Sequence, residues 1–97
     1  ENITQFQHKM HMMLHEECYY ICLVEGKPAG YVGVIERDIR VSTHPTFQGK
    51  GVGKFMINEL TKRHPDATAK VKIKNEASMR LFKACGFKEK YYILEKE

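Results

Sequence analysis

The sequence has few cysteines and no long hydrophobic run, and each absence argues against a class of protein. Its 97 residues include three cysteines, Cys18, Cys22 and Cys85. Three thiols cannot all pair, which excludes a disulfide scaffold, and a zinc site needs closer and more numerous ligands. We therefore expect free, buried thiols in a reducing cytoplasm and no metal site.

The longest apolar runs have the length of a strand, so we expect no membrane span. The first four residues, 1–4, show no basic region followed by an apolar one, which argues against a signal peptide, and they include no initiator Met. The chain is 42% hydrophobic and 29% charged, which is typical of a folded, soluble domain. We expect one domain over residues 1–97, near the lower size limit for a self-sufficient core.

The net charge is +4, from 16 basic and 12 acidic residues. Lys70, Lys72 and Lys74 alternate and would share one face of a strand. Such a stripe is used by nucleic-acid-binding proteins, but it also forms solvated faces and basic rims that attract an anionic cofactor. Because no aromatic residues are interleaved with it as in RNA-binding modules, nucleic acid is the minority interpretation.

Hydrophobic periodicity and turn residues predict alternating strands and helices. Ile3, Phe6, Met10, Met13 and Leu14 recur at helical spacing, which predicts a helix over 3–16. The strands that we predict cover residues 18–24, 29–36, 38–43, 69–73 and 87–94, and the further helices cover about 51–63 and the stretch from Asn75 to Gly86. The 69–73 strand would return parallel to 38–43 and complete a right-handed β-α-β unit.

The stretch Gln48-Gly49-Lys50-Gly51-Val52-Gly53-Lys54 lies between a predicted strand and a predicted helix. Glycines let a ligand approach the backbone, and the first N–H groups of a helix point at an anion bound there. Neither the dinucleotide fingerprint nor the P-loop has this spacing. The stretch is therefore interpreted as a diphosphate site, and the simpler alternative is a glycine-rich turn.

A second motif runs from Asn75 through Ala77, Leu81 and Phe82 to Gly86-Phe87. Asn75 can cap a helix and Gly86 can end it, which by itself predicts only a well-capped helix. Together, Gln48-x-x-Gly51-x-Gly53 and N-x-x-A-x-x-L-F-x-x-x-G-F resemble the two acyl-CoA-binding blocks of the GCN5-related N-acetyltransferases, in that family's order, over about residues 18–95.

The resemblance implies an α/β (α+β) fold with a mixed, mostly antiparallel sheet and a central β-α-β unit that binds acetyl-CoA. It implies that strands 38–43 and 69–73 are splayed apart and that pantetheine lies between them. The residues that it places at the cofactor are Val41, Ser42, Thr43, Gln48, Gly49, Lys50, Gly51, Val52, Gly53, Lys54, Asn75 and Phe82.

The implied reaction is direct attack of a neutral amine on the thioester, with an N–H near Val41 stabilising the oxyanion. Glu36 and Asp38 are the nearest carboxylates that could act as general base, with His44 a weaker candidate. Many relatives place a tyrosine at Phe82 as the acid for the leaving thiolate. Phe82 cannot donate a proton, so other donors stay open: Cys85, Tyr19, Tyr20 and Tyr31.

Three functions remain open: N-acetylation of a small-molecule amine such as an amino sugar or nucleotide-linked amino sugar, N-acetylation of protein termini or lysines, and acyl-CoA binding without catalysis. Relatives usually begin with a strand and a helix that this sequence lacks, and these parts help to form the acceptor pocket. The chain is thus a minimal member, a fragment, or a form whose pocket is completed by a partner subunit, as in a homodimer.

Overall fold

The computed structural model describes residues 10–97, apart from the side chain of Glu16. Its strands form one antiparallel sheet in the order β1-β2-β3-β4, so each strand pairs with its neighbour in sequence. The strands are β1 (Met10–Glu16), β2 (Tyr19–Val24), β3 (Lys27–Ile35) and β4 (Asp38–Thr43). One 3-10 turn (Pro45–Phe47) and two helices, α1 (Val52–Arg63) and α2 (Glu76–Ala84), follow.

Two tight turns set the register of β2, β3 and β4. Glu25 and Gly26 have φ of 51° and 80°, and Glu36 and Arg37 have φ of 50° and 70°. Two consecutive residues with positive φ are the mark of the two-residue hairpin turn whose twist matches that of the strands. The predicted strands 18–24, 29–36 and 38–43 are confirmed, with bounds shifted by one or two residues.

The predicted helix over 3–16 is wrong where the structure describes it, because residues 10–16 form strand β1. The part over residues 3–9 lies outside the described residues. Met10 and Leu14, which belong to the helical pattern, are also two residues away from Met12 on either side, which is the spacing of one face of a strand. Pairing with β2, from Met10 opposite Val24 to Leu14 opposite Tyr20, decides between the two patterns.

Two predicted strands are absent from the part of the chain that the structure describes. The 69–73 stretch follows a single parallel bridge, Asp38 with Thr68, and then leaves β4 without forming a ladder. The 87–94 stretch has strand-like composition but pairs with no strand among residues 10–97. A strand needs a neighbour for its backbone hydrogen bonds, and neither stretch has one within residues 10–97.

The core lies between the sheet and α1, with α2 packed on α1. Helix α1 buries one apolar stripe, while Lys62 and Arg63 are exposed on its other side. The buried hydrophobic residues are Met10, Cys22, Val24, Ala29, Val32, Ile39, Val52, Met56, Ile57, Leu60 and Phe82. This packing fixes the start of α1 beside the end of β4, where the predicted diphosphate site lies.

Candidate functional site

Helix α1 begins without a capping side chain. Its N-cap is Gly51, in the left-handed conformation with φ of 82°, and the first turn contains no acidic residue. The amide nitrogen of Phe55 donates to the carbonyl oxygen of Gly51 at 3.0 Å, so the N–H groups of Val52, Gly53 and Lys54 precede the first intrahelical bond. Free amides and the positive end of the helix dipole therefore meet at one point, which suits an anion.

The glycines of this loop have two different roles. A Cβ built on Gly49 (φ of 76°) or on Gly51 would meet no atom within 4 Å, so open space lies beside the backbone at both positions. A Cβ on Gly53 would lie 3.2 Å from Leu81 Cδ2 and 3.6 Å from Thr43 Oγ1. Gly49 and Gly51 thus leave room for a ligand, whereas Gly53 allows α1 to pack closely against α2 and β4.

The exposed side chains of Lys50 and Lys54 flank this loop and add positive charge to it. Gln48 is also exposed, and its Nε2 donates to the carbonyl oxygen of Thr43 at 3.4 Å, which ties the loop to the end of β4. The residues present fit a diphosphate: unpaired amides, no nearby carboxylate in the first turn of α1, and two ammonium groups at the edge.

The free edge of β4 supplies a second set of backbone groups. The amide nitrogen of Ile39 donates to the carbonyl oxygen of Thr68 at 2.8 Å, so Ile39 faces away from β3. The N–H and C=O groups of successive residues point to alternate sides of a strand. Those of Val41 and Thr43 therefore also point away from β3. The gap between β4 and the diverging 69–74 stretch is thus lined by their N–H and C=O groups.

Ser42 differs from its neighbours. It is paired with Tyr31 of β3, and the same alternation turns its backbone groups toward β3 rather than the gap. The structure therefore brings Val41 and Thr43 to the predicted cofactor gap through their backbones. Ser42 can contribute only through its exposed side chain, on the sheet face opposite to α1.

The two residues predicted from the second motif have distinct environments. Asn75 is the N-cap of α2, and its Oδ1 accepts a hydrogen bond from the amide nitrogen of Ser78 at 3.1 Å. Its Nδ2 has no hydrogen-bond partner within residues 10–97 and could still donate to a ligand. Phe82 is a core residue with 6% exposure, its ring 5.2 Å from the ring of Phe87 in an edge-on arrangement.

The carboxylates of Glu36 and Asp38 lie at the end of β4 far from the diphosphate site. Asp38 and Thr43 are five residues apart, which is about 16 Å along a strand. Glu36 is exposed in the β3–β4 turn. Asp38 is more enclosed: its Oδ2 accepts from Arg40 Nε at 3.2 Å, and its Oδ1 is buried without a partner among the described residues. Of the two carboxylates predicted as possible bases, Asp38 is therefore the one that the fold encloses.

The structure also separates the possible proton donors. Tyr31 is 48% exposed, lies opposite Ser42 and contacts Tyr19 with ring centroids 6.0 Å apart. Tyr20 lies 5.3 Å from the guanidinium of Arg63, at the far end of α1. Cys85 lies beside the first turn of α1, with its Sγ 4.0 Å from the carbonyl oxygen of Lys54.

The environment of Cys85 affects its acidity. Burial raises the pKa of the Cys85 thiol, and the positive charge of Lys54 acts in the opposite direction. Of the possible donors, the Cys85 thiol thus lies beside the start of α1, and Tyr31 lies on β3, separated from the gap by β4.

Sequence reasoning did not single out a cleft beside the start of β2. It has a volume of about 360 Å³ and is lined by His15, Tyr19, Tyr20, Ile21 and Tyr31. The available signal was the alternation of Tyr19 and Ile21 along β2, which places both on the face away from α1. Among residues 10–97, no group of three His, Cys, Asp or Glu side chains is arranged to hold a metal ion.

A strand with a free edge, followed by a helix whose uncapped N-terminus adjoins open space, defines a β-α unit able to bind an elongated phosphate-containing ligand. The chain belongs to the acetyltransferase (GNAT) family, whose sequence model matches residues 2–87. It is 27% identical over 96 residues to the uncharacterized N-acetyltransferase MJ1207 of Methanocaldococcus jannaschii, a match that covers 81% of this chain. The chain spans 42% of the length of that relative.

Solved structures share the fold. The aminoglycoside N-acetyltransferase AAC(6')-Iy in complex with CoA has a TM-score of 0.67 at 15% identity, covering 87% of this chain and 69% of that protein. An aminoglycoside acetyltransferase, meta-AAC0020 from an uncultured soil metagenomic sample, in complex with sisomicin, has a TM-score of 0.60 at 17% identity, covering 84% and 70%. The predicted α+β class is confirmed, but within residues 10–97 the sheet is antiparallel rather than mixed, and the predicted β-α-β unit lacks its second strand. Neither helix within residues 10–97 has the length and apolar character needed to cross a bilayer.

Proposed function

We propose that the chain binds acetyl-CoA in the gap between β4 and the 69–74 stretch and transfers the acetyl group to a primary amine. One observation carries the proposal: the uncapped N-terminus of α1, beside open space at Gly51, continues directly from the free edge of β4. The amides of α1 would hold the diphosphate, and the backbone of Val41 and Thr43 would pair with pantetheine as an added strand does. The solved structure of similar fold with CoA supports this assignment.

Each residue of the gap has a defined task in this proposal. The cofactor supplies an acetyl group activated as a thioester. The N–H of Val41 donates a hydrogen bond to the carbonyl oxygen on which negative charge develops, and Asn75 orients the cofactor through its free Nδ2. Asp38 accepts the proton of the ammonium acceptor through water, since its Oδ1 has no partner in the described part of the chain.

The acceptor that we propose is a small-molecule amine, such as an amino sugar or a nucleotide-linked amino sugar. Two observations support it. The solved structures of similar fold include aminoglycoside acetyltransferases, one of them in complex with sisomicin. In this chain, the exposed ring of Tyr31 lies opposite Ser42 on the open face of the sheet, next to the strand that would hold the cofactor. Aromatic side chains there offer a flat apolar surface for a sugar ring.

The second candidate is acyl-CoA binding without catalysis. It is favoured by Phe82, which is buried in the core and has no hydroxyl group at the position where many relatives place a tyrosine. Both functions require the same cofactor site, and they differ only in turnover.

A turnover assay separates the two candidates. The chain is incubated with acetyl-CoA and a panel of amino sugars, nucleotide-linked amino sugars and acidic peptides, and free CoA thiol is measured with and without amine. We expect amine-dependent release of thiol with amino sugars. Asp38→Asn should lower kcat by about 100-fold or more, the usual effect of losing a general base, with little effect on KM.

The matched control is Asp66→Asn, which removes an exposed carboxylate 3.7 Å from Arg37 Nε, outside the gap. It should keep the rate of the unchanged chain. Binding of acetyl-CoA with no thiol release for any amine would favour the non-catalytic function. Transfer only to peptides would replace the small-molecule acceptor by a protein.

A further inference from the structure

The face of the sheet away from α1 carries a group of aromatic and charged side chains on β2, β3 and β4. Residues directly opposite each other in paired strands point to the same face. Tyr31 lies opposite Ser42, and Gly33 lies opposite both Arg40 and Tyr19. Residues two apart along a strand also share a face, which adds Asp38 to this set. We call this group the acceptor face: Tyr19, Tyr31, Asp38, Arg40 and Ser42.

Gly33 fixes the position of one aromatic ring on the acceptor face. A Cβ built on Gly33 would lie 2.6 Å from Tyr19 Cε1, closer than two side-chain carbons can approach. The absence of a side chain at position 33 therefore lets the Tyr19 ring lie directly on β3. The ring of Tyr31 meets it edge-on, with centroids 6.0 Å apart. Two aromatic rings thus stand beside Arg40, the residue opposite Gly33 on β4.

The guanidinium of Arg40 is held in place but retains free donors. Its Nε donates to Asp38 Oδ2 at 3.2 Å, which uses one of the five N–H donors of an arginine. Within residues 10–97 its two Nη atoms have no hydrogen-bond or ion-pair partner, and the side chain is 53% exposed. Four donors in a planar fork remain, which is the arrangement that binds phosphate or carboxylate through two parallel hydrogen bonds.

Asp38 and Arg40 present opposite charges side by side on the acceptor face. A molecule with an ammonium group and a nearby anionic group is complementary to such a pair. We propose that Arg40 selects an acceptor that carries an anionic group, phosphate or carboxylate, close to its primary amine. The inference rests on the proposed acetyl transfer, because it names the chemical class of the acceptor.

The acceptor face lies on the side from which an amine can reach the thioester. Val41, whose N–H is assigned to the thioester oxygen, lies between Arg40 and Ser42 along β4. The side chain of Val41 packs against the core below α1, so that side of β4 is closed. The side chains of Arg40 and Ser42 are exposed on the other side. An acceptor bound by Arg40 therefore stands next to the position of the acetyl group.

The rest of the acceptor has space beside Arg40. The cleft of about 360 Å³ lined by Tyr19, Tyr31 and three neighbouring residues falls in the range of small-molecule pockets, about 300–1,000 Å³. The described side chains that line it carry no negative charge, so they do not repel an anion. A neutral amino sugar could stack on the tyrosines, but it would leave the four donors of Arg40 without a partner from the ligand.

The first test compares matched pairs of amines in the thiol-release assay. Glucosamine 6-phosphate is compared with glucosamine, and alanine with alaninamide, so that each pair differs in one anionic group. We expect kcat/KM to be higher for the anionic member by about 10-fold or more, the effect of one charge-assisted hydrogen bond. A preference in one pair alone supports the proposal and identifies that anion. No preference in either pair would overturn it.

The second test assigns the preference to Arg40. Arg40→Gln should lower the ratio of the two kcat/KM values in a pair by about 10-fold, mainly by raising KM for the anionic member. Arg40→Lys keeps the charge without the fork and should retain part of the preference. The matched control is Arg80→Gln, which removes an exposed arginine 3.8 Å from Glu76 on α2. It should keep the ratio of the unchanged chain. An equal loss in the control would assign the preference to net charge and contradict a site at Arg40.

Failure of this inference and failure of acetyl transfer give different results. Equal kcat/KM for both members of each pair would support acetyl transfer and overturn the inference. If no amine is acetylated, acetyl transfer fails, and amide shifts measured by NMR decide on the inference. Glucosamine 6-phosphate should shift the amides of Gly33 and Arg40 more than glucosamine does, and Arg40→Gln should remove the difference. Equal shifts with the two sugars, or none, would contradict an anion site on the acceptor face.

Discussion

The amide nitrogen of Ile39 donates a hydrogen bond to the carbonyl oxygen of Thr68, 2.8 Å away. With the bridge between Asp38 and Thr68, this contact closes one end of the gap between β4 and the returning chain. It also sets which residues of β4 point their N–H and C=O groups into the gap, because these groups point to alternate sides along a strand. Val41 and Thr43 face the gap, and Arg40 and Ser42 face β3.

Amide hydrogen exchange measured by NMR should therefore alternate along β4. Without cofactor, we expect slow exchange at Ile39, Arg40 and Ser42, whose N–H groups have partners, and fast exchange at Val41. Saturating acetyl-CoA should slow exchange at Val41 and leave Arg40 and Ser42 unchanged. Equal exchange along the whole strand, or no effect of acetyl-CoA at Val41, would contradict the assignment of the gap.

Asn75 combines a structural and a binding role that two substitutions separate. Asn75→Asp keeps an oxygen that can cap α2 but loses the amide donor, whereas Asn75→Ala loses both. We expect Asn75→Ala to lower the free energy of unfolding by about 1 kcal/mol and Asn75→Asp to lower it little. Titration calorimetry should show weaker acetyl-CoA binding for both. Normal binding by Asn75→Asp would confine Asn75 to capping.

Cys22 should make stability sensitive to alkaline pH. Burial raises its pKa from 9.0 to about 11. The folded state therefore holds its proton more tightly than the unfolded chain, and this contribution is complete below pH 9 and lost as pH rises toward 11. A shift of this size corresponds to about 2–3 kcal/mol. Denaturant unfolding at pH 8 and pH 11 should show a larger loss for the unchanged chain than for Cys22→Ala, in which the thiol is absent.

Leu60 tests the interface between α1 and the sheet. Its side chain is fully buried, and Leu60→Ala should lower the free energy of unfolding by about 2–5 kcal/mol through lost burial and a residual cavity. Leu14→Ala changes a leucine that is 63% exposed and should cost under about 1 kcal/mol. Equal effects in urea unfolding would show that α1 does not form the core as described.

The central part of the fold could be predicted from the sequence because its signals are local. Gly26 and the alternating residues beside it predict the β2–β3 hairpin, and Asn75 predicts the start of α2. Gln48 to Lys54 predicted the loop between β4 and α1. Whether the cofactor occupies that loop stays a prediction.

The rest depended on pairing partners, which local patterns do not specify. The apolar residues within 10–16 fit the spacing of a helix as well as that of a strand. Pairing with the neighbouring β2 made this stretch a strand. The 69–73 and 87–94 stretches have strand composition but no partner within residues 10–97, so they form no ladder. The backbone groups of Val41 point into the gap and those of Ser42 point toward β3, and this difference could be assigned only from the register of β4.

The most direct measurement of the central claim is the affinity of acetyl-CoA for Gly51→Glu, determined by titration calorimetry beside Gly26→Glu. Both glycines have φ near 80° and open space around them, so both changes impose similar backbone strain, but Gly26 lies in the β2–β3 turn. We predict that Gly26→Glu binds like the unchanged chain. The affinity of Gly51→Glu for acetyl-CoA should fall by about 100-fold or more. The added carboxylate and the diphosphate are like charges, which repel by roughly 4 kcal/mol when they are about 4 Å apart near a protein surface. Equal affinity in both variants, each folded by circular dichroism, would contradict a diphosphate site at the start of α1.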